Sequence, residues 1–316
     1  MCTNITLESA DHKFLMARTM DFSFNLDPMM AIFPRRSRLR FDLASPIENH
    51  FAFMGLTKDV GNYYIADGIN EFGLTGAALY FEGYAYHQDK SDNFDIQVAP
   101  HEVVMWMLAQ CKTIEEVKIE FGRITVVNEI MGFLGIVPPL HWVFLDRNGN
   151  SIIVEIMKDG IHIDDNSLGV LTNSPDYNWH MTNIRNYIGL YPHQLKTRII
   201  YGIEFKPFGQ GSGTFGLPGD LTPPSRFIKT LYNKISSHIP KNAYEMLLSA
   251  THILNGVDIP KGSVITQRDT IDYTQYTSYM VNNDNSYYYR MHDSLHIFGV
   301  SLNDFNIDTS EIIIFQ

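Results

Sequence analysis

His141-Trp142-Val143-Phe144-Leu145-Asp146-Arg147-Asn148-Gly149-Asn150-Ser151-Ile152-Ile153-Val154-Glu155-Ile156 decides the fold. Two apolar runs flank the turn Arg147-Asn148-Gly149-Asn150, and Asn-Gly supplies the positive φ angles of a tight hairpin, so the runs pair antiparallel. Lys158-Asp159-Gly160 makes a second turn into Ile161-His162-Ile163, and Gly169-Val170-Leu171-Thr172 follows. The runs are nearly continuous in apolar residues rather than alternating, so both faces of their sheet must be covered. Outward from this meander, further strands are read at residues 13–20, 50–56 and 73–81, and at 273–282, 286–292, 294–302 and 311–315.

The covering layers show helical spacing. Residues 100–111 are apolar nearly all round, and Ile114, Val117 and Phe121 continue on one face. Met181, Ile184 and Ile188 mark a second region. Phe227, Ile228, Leu231, Tyr232 and Ile235 mark a third, with Thr222 as its N-cap and Pro223 at its first position. Ala243, Met246, Leu247, Ala250 and Leu254 mark a fourth. The expected class is α+β, with two antiparallel sheets stacked face to face and helices outside each. No repeat or linker divides the chain, so residues 1–316 are read as one domain.

Composition narrows the function. At 316 residues and 45% apolar content the chain can bury a large core, which excludes disordered and disulfide-stapled classes. A net charge of −11 argues against nucleic acid. The apolar stretch 131–145 is broken by Pro138, Pro139 and His141, so no membrane span is expected. Two cysteines, Cys2 and Cys111, and no secretory signal point to a reducing, cytoplasmic compartment. The histidines include neither HExxH nor zinc spacing, so no metal is expected. Residues 209–216 match GxGxxG, but Lys206-Pro207-Phe208 before and Leu217-Pro218 after mark a glycine-rich loop instead of a dinucleotide site. The basic run 35–40 reads as a solvated strand face.

Cys2 is the candidate for the chemistry, although a cysteine at position two is by itself a weak signal and most are accidents. A cysteine nucleophile needs a base. Removal of Met1 exposes an α-amine whose ordinary pKa, roughly 7.7–8.0, suits that task. Cys111 closes an apolar helix and reads as inert core. In Ala17-Arg18-Thr19-Met20-Asp21-Phe22, two opposite charges interrupt a core strand. Charges are costly to bury unpaired, so Arg18 and Asp21 are a structural pair or the groups that orient the amine and thiol.

Met-Cys-Thr at the start, with Ala-Arg-Thr-Met-Asp-Phe at 17–22, resembles the choloylglycine hydrolase family of penicillin V acylases and conjugated bile salt hydrolases. So do 64–74 (Tyr-Ile-Ala-Asp-Gly-Ile-Asn-Glu-Phe-Gly-Leu), Pro138-Pro139-Leu140-His141-Trp142, 169–175, 213–219 and 219–227. The resemblance implies a four-layer αββα N-terminal-nucleophile fold and, by position, the following roles. Cys2 is the nucleophile and its amine the base. Asp21 holds both, with Arg18 as charge partner. The Asn173 amide donates to the oxyanion, and Arg226 lies beside the nucleophile. Tyr80 stands where bile salt hydrolases carry asparagine; it is similar to the acylase branch, in which the backbone N–H at this position can donate. Residues 209–219 and the long segment before them resemble the family extension that helps build homotetramers.

The implied activity is cleavage of a linear amide with an apolar or aromatic acyl group, of penicillin V acylase type, without cofactor. Conjugated bile salt hydrolysis is the alternative, and a non-catalytic acyl-ligand-binding protein is the rival of another class. Met20, Phe24, Ala66, Met131, Leu134 and Leu140 are the expected lining of a mostly apolar acyl pocket, though each reads equally as core.

Overall fold

In the computed structural model residues 1–315 are described, apart from the side chain of Asp59. The meander forms as expected. Leu140–Leu145 pairs antiparallel with Ser151–Met157, and that strand with Gly160–Asp165. Asp146 builds the first turn: its Oδ1 accepts the N–H groups of Asn148 and Asn150, while Gly149 takes φ +86°.

These three strands end an eight-stranded antiparallel sheet. It continues through Thr75–Tyr80, Tyr63–Asn70, Phe53–Asp59, Met29–Phe33 and Ile313–Phe315. A second sheet runs Val170–Leu171, Cys2–Glu8, Phe14–Phe22, Ile271–Val281, Ser286–Met291 and Phe298–Ser301, with Val264–Ile265 at the outer end of its fourth strand. Both ends of the chain therefore meet in each sheet.

Side-chain alternation explains the unbroken apolar runs. Val143, Leu145 and Ile153 join Met30, Ile32 and Met54 in the core shared with Ile5 and Leu15 of the other sheet. Trp142, Phe144, Ile152 and Val154 face the opposite way, under helices Val103–Gln110 and Ile114–Phe121. Helices Pro223–Ser236 and Ala243–Asn255 cover the other sheet through Phe227, Leu231, Met246, Ala250 and Leu254. Four layers result. Among the described residues no helix is long and apolar enough to cross a membrane.

Several local expectations need correction. Cys2–Glu8 is a strand in which Thr3 and Asn4 are buried, so its polar spelling hides it. Thr222 does not cap its helix with its side chain. Asp220 gathers the hydroxyls there, accepting from Thr222 and from Ser225 at 2.6 Å. The region marked by Met181 is helical only over Tyr177–Asn183, followed by a single tighter turn, and Ile188 is 83% exposed. Ile235 also faces solvent. The basic run is a turn segment with one isolated bridge at Leu39, and Arg35 pairs with Glu71 and Asp308. In the glycine-rich loop, Gly213 is buried where a Cβ would meet the Tyr191 and His193 carbonyls at 2.3 Å, so close backbone packing requires it.

Lys234 ties the helix Pro223–Ser236 to the turn before Val170–Leu171, donating to the carbonyls of Leu168 (2.5 Å) and Gly169 (3.4 Å). Burial pushes its ammonium down to about 8 from 10.5. The unfolded chain then binds the extra proton between those values, so stability rises with pH through that window and is lost as pH falls through 8. The carbonyl acceptors oppose the shift, which makes roughly 3 kcal/mol the ceiling. Urea unfolding of Lys234→Met should show a flatter stability slope between pH 8 and 10 than the parent. Parallel slopes would exclude this role.

Candidate active site

Strands Cys2–Glu8 and Phe14–Phe22 pair with Cys2 opposite Met20 and Asn4 opposite Arg18. That register brings the Arg18 guanidinium under the thiol: Nη2 lies 2.7 Å from Cys2 Sγ. The rest of the guanidinium donates to the carbonyls of Thr19 (3.1 Å) and Ala78 (3.1 Å) and to Asp67 Oδ2 (3.3 Å). Arg18 is fully buried. Burial alone would lower its pKa, but Cys2, Tyr276, Asp67 and Asp21 raise it overall, so the charge is secure.

Asp21 sits on the other side of Cys2. Its Oδ1 accepts from Thr274 Oγ1 at 2.5 Å and its Oδ2 from Thr19 Oγ1 at 3.1 Å. Arg226 Nη1 stands 3.9 Å away. Burial raises the Asp21 pKa, against Arg226, the chain's terminal ammonium and the two hydroxyls. Arg226 enters from the first turn of Pro223–Ser236 and joins three segments. Its Nη1 donates to the Cys2 carbonyl and Thr3 Oγ1, both at 2.6 Å, its Nη2 to Asn173 Oδ1 at 2.7 Å, and its Nε to the Leu221 carbonyl at 3.0 Å. Burial lowers its pKa, which Asp21, Cys2 and Asp272 counter.

Asn173 closes the ring. Its Oδ1 accepts from the Cys2 N–H at 2.8 Å, and its Nδ2 donates to the Tyr80 carbonyl at 2.7 Å. Two buried histidines fix the backbone here. His141 Nε2 lies 3.2 Å from the Thr172 carbonyl, and His180 Nε2 lies 2.9 Å from that of Asn173. Tyr80 faces Leu140 across the ladder, and the next residue, Phe81, donates to Pro139. Ladder bonds alternate, so the Tyr80 N–H and C=O point away from the Leu140 strand, toward Asn173.

Cys2, Arg18, Asp21, Tyr80, Asn173 and Arg226 are thus brought together, from three strands, one loop and one helix. In the chain as it stands Met1 precedes the thiol. Its ammonium donates to the Asp21 carbonyl at 2.7 Å, and its carbonyl accepts from the Asp21 N–H at 3.0 Å.

Above Cys2 opens a mostly apolar cavity of about 840 Å³, its mouth included. Met20, Ala66, Met131, Leu134 and Leu140 line it. Phe24 does not: it is 41% exposed, with its ring 5.8 Å from that of Phe22, which takes the lining position. The strand ends at Phe22, and Phe24 lies in the bend beyond it.

Asp67 is a site residue that the sequence reading does not single out. It is fully buried in Tyr63–Asn70, and besides Arg18 it accepts from Tyr276 Oη at 2.8 Å and from Tyr287 Oη. The rule that singles out Arg18 and Asp21, a charge inside a core strand, applies equally to Ala66-Asp67-Gly68-Ile69. Two buried cations, Arg18 and Arg226, therefore face two buried carboxylates, Asp21 and Asp67.

Comparison with known proteins gives consistent relations. A profile of the family described as linear amide C–N hydrolases, choloylglycine hydrolase family, matches residues 2–315. The bile salt hydrolase/transferase of Lactiplantibacillus plantarum is 34% identical over 316 residues, covering 99% of this chain and 96% of the relative. The crystal structure of the C2A mutant of conjugated bile acid hydrolase from Clostridium perfringens is 30% identical. It superposes with a TM-score of 0.92, covering 100% of this chain and 97% of the other. A penicillin V acylase from Agrobacterium tumefaciens shares the fold at 18% identity and a TM-score of 0.80, covering 99% of this chain and 90% of that one.

Proposed function

The chain belongs to the choloylglycine hydrolase family of linear amide C–N hydrolases, and on that premise we propose that it hydrolyses conjugated bile salts. The carrying observation is Cys2, with Arg18 Nη2 at its sulfur, opening into a mostly apolar cavity of the kind that an apolar acyl group would occupy. This reverses the order that the sequence suggests, with penicillin V acylase first. The relatives at 34% and 30% identity are bile salt enzymes, whereas the acylase at 18% carries the fold alone. Penicillin V hydrolysis stays as the second reading because Tyr80 occupies the asparagine position.

In the mechanism, Met1 is removed and the freed Cys2 amine takes the thiol proton as sulfur attacks the amide carbon. Negative charge gathers on the carbonyl oxygen, where the Asn173 amide and the Tyr80 N–H donate. Collapse breaks the C–N bond, and the Cys2 ammonium protonates the departing amine. Water, deprotonated by the same amine, then cleaves the thioester. Arg18 offsets the charge on sulfur; Asp21 and Arg226 hold the N-terminal residue in place.

Turnover of glycocholate, taurocholate and penicillin V by protein of verified mass tests the assignment. Faster cleavage of the bile conjugates is expected. Faster cleavage of penicillin V would install the second reading, and cleavage of none would reject both. We also propose self-association, as homotetramers, through the exposed hairpin Arg198–Ile200/Ile203–Phe205 and its neighbours Phe208 and Phe215, 110% and 93% exposed. Light scattering on Phe208→Asp/Phe215→Asp should give a smaller particle than the parent.

A further inference from the structure

Strands Phe14–Phe22 and Ile271–Val281 slip by one residue where they pass the site. Thr274 faces Asp21 across the ladder, but Tyr276, two positions on, faces Met20, and Gln275 between them is the extra residue. Met20 and Asp21 are neighbours on one strand and so point to opposite faces of the sheet. The bulge therefore sends Tyr276 to the cavity with Met20 and Cys2, and Thr274 to the other face with Asp21. Without the extra residue Thr274 and Tyr276 would share a face, and Asp21 would lose this hydroxyl. Gln275 is buried and pins the irregularity. Its Nε2 donates to the carbonyls of Phe22 (2.8 Å) and Phe24, and its Oε1 accepts the Leu26 N–H at 2.9 Å.

Thr274 is held from both ends. Its N–H donates to the Ile259 carbonyl at 3.1 Å, and its hydroxyl oxygen accepts the Ile259 N–H at 2.9 Å. The hydroxyl proton goes to Asp21 Oδ1. Thr19 repeats the arrangement on the other oxygen: its Oγ1 accepts the Thr3 N–H at 3.2 Å and donates to Asp21 Oδ2 at 3.1 Å. Both threonines are buried. Each hydroxyl thus has a backbone N–H on its oxygen and its proton on a different oxygen of one carboxyl group. That pattern suits an ionised carboxylate, which accepts at both oxygens, better than a protonated one. The other charged groups around Asp21 are Arg226 from its helix, the N-terminal ammonium of the first strand, Arg18 from its own strand and Asp272 from Ile271–Val281. Burial works against the Asp21 charge; Arg226, the N-terminal ammonium and the two hydroxyls work for it.

We propose that Thr19 and Thr274 are positioning residues that act through Asp21, holding its carboxylate ionised and fixed in direction so that it anchors the N-terminal residue for attack. The proposal rests on the amide-hydrolase reading above. Neither threonine lines the acyl cavity, so their effect falls on the assembly of the nucleophile and not on the fit of the acyl group. The bulge at Gln275 is then part of the site, because it is what brings the second hydroxyl to Asp21.

The test compares the parent, Thr274→Val, Thr19→Val and Thr274→Ser by urea unfolding and by turnover between about pH 5 and 8. Valine keeps the shape and removes the bond to the ionised form, so Asp21 takes its proton at higher pH. The acidic limb of kcat/KM should therefore move up by about one unit in each valine variant. At neutral pH kcat should fall by about tenfold, the worth of one hydrogen bond to a charged group, with KM within about threefold. The stability lost to valine should shrink as pH falls and Asp21 becomes protonated in both proteins; a hydroxyl that serves packing alone costs the same at every pH. Thr274→Ser, which keeps the hydroxyl, should return the parent limb. An unmoved limb, a stability gap equal across the range, or a serine variant as impaired as valine would each overturn the proposal. If Thr274→Val does not fold, Thr19→Val is read to the same criteria. The unfolding arm needs no substrate. If neither bile conjugates nor penicillin V are cleaved, the function assignment falls, and the pH dependence of the gap still decides whether the hydroxyls hold Asp21 charged.

Discussion

Cys2→Ala should leave less than about 10⁻⁴ of the parent turnover while the protein stays folded. The side chain is 4% exposed, and the substitution removes only its sulfur. Arg18 keeps its bonds to Asp67, Ala78 and Thr19, so no buried charge is stranded. Asn173 keeps the Cys2 N–H and Arg226 as donors. Thermal unfolding within a few degrees of the parent, with turnover lost, is the expected pair of readouts. Residual activity above a few per cent would remove Cys2 from the mechanism, as would full activity in protein whose mass still includes Met1.

Arg18→Met should cost both stability and rate. The side chain is fully buried, and its removal leaves Asp67 with tyrosine hydroxyls alone. Breaking a buried pair by deleting one partner typically costs about 3–5 kcal/mol. For a chain of this size that corresponds to a fall in Tm on the order of 10 °C. The attacking sulfur also loses the cation 2.7 Å away, so kcat/KM should fall by at least about a hundredfold. A second substitution, Asp67→Asn, separates the effects. The double variant should regain most of the stability, because no carboxylate is then buried unpaired, and none of the activity. If rate returns with stability, Arg18 serves the fold alone.

Much of the fold and the site is legible in the amino-acid sequence. The Asn148-Gly149 and Asp159-Gly160 turns and the unbroken apolar runs between them imply covered antiparallel sheets, because turn chemistry and burial are local properties. Cys2, Arg18, Asp21, Asn173 and Arg226 stand out, the last two by resemblance only. The strand Cys2–Glu8 does not, since its threonines and asparagine are buried by tertiary pairing that no local pattern reveals. Phe24 is misplaced by sequence because the strand ends at Phe22, so the alternation that would keep Phe24 on the same side no longer holds. Asp67 carries the right signal, a charge in a core strand, without a partner nearby in sequence. The bulge at Gln275 depends on where a ladder shifts register, which composition does not encode.

The register of the nucleophile's sheet also has a consequence in time. Phe14–Phe22 lies between a strand that begins at residue 2 and Ile271–Val281, and the Thr274 hydroxyl on Asp21 comes from 253 positions downstream. Arg226 reaches Cys2 across 224 positions. At synthesis rates of about 5–20 residues per second, the first strand waits on the order of 10–50 s for these partners. Until then the N-terminal strand has only its hairpin partner Phe14–Phe22 beside it. Within that hairpin the Met1 carbonyl and amine are both engaged by the backbone of Asp21. On the proposed mechanism, removal of Met1 must therefore come before these two bonds form or must break them.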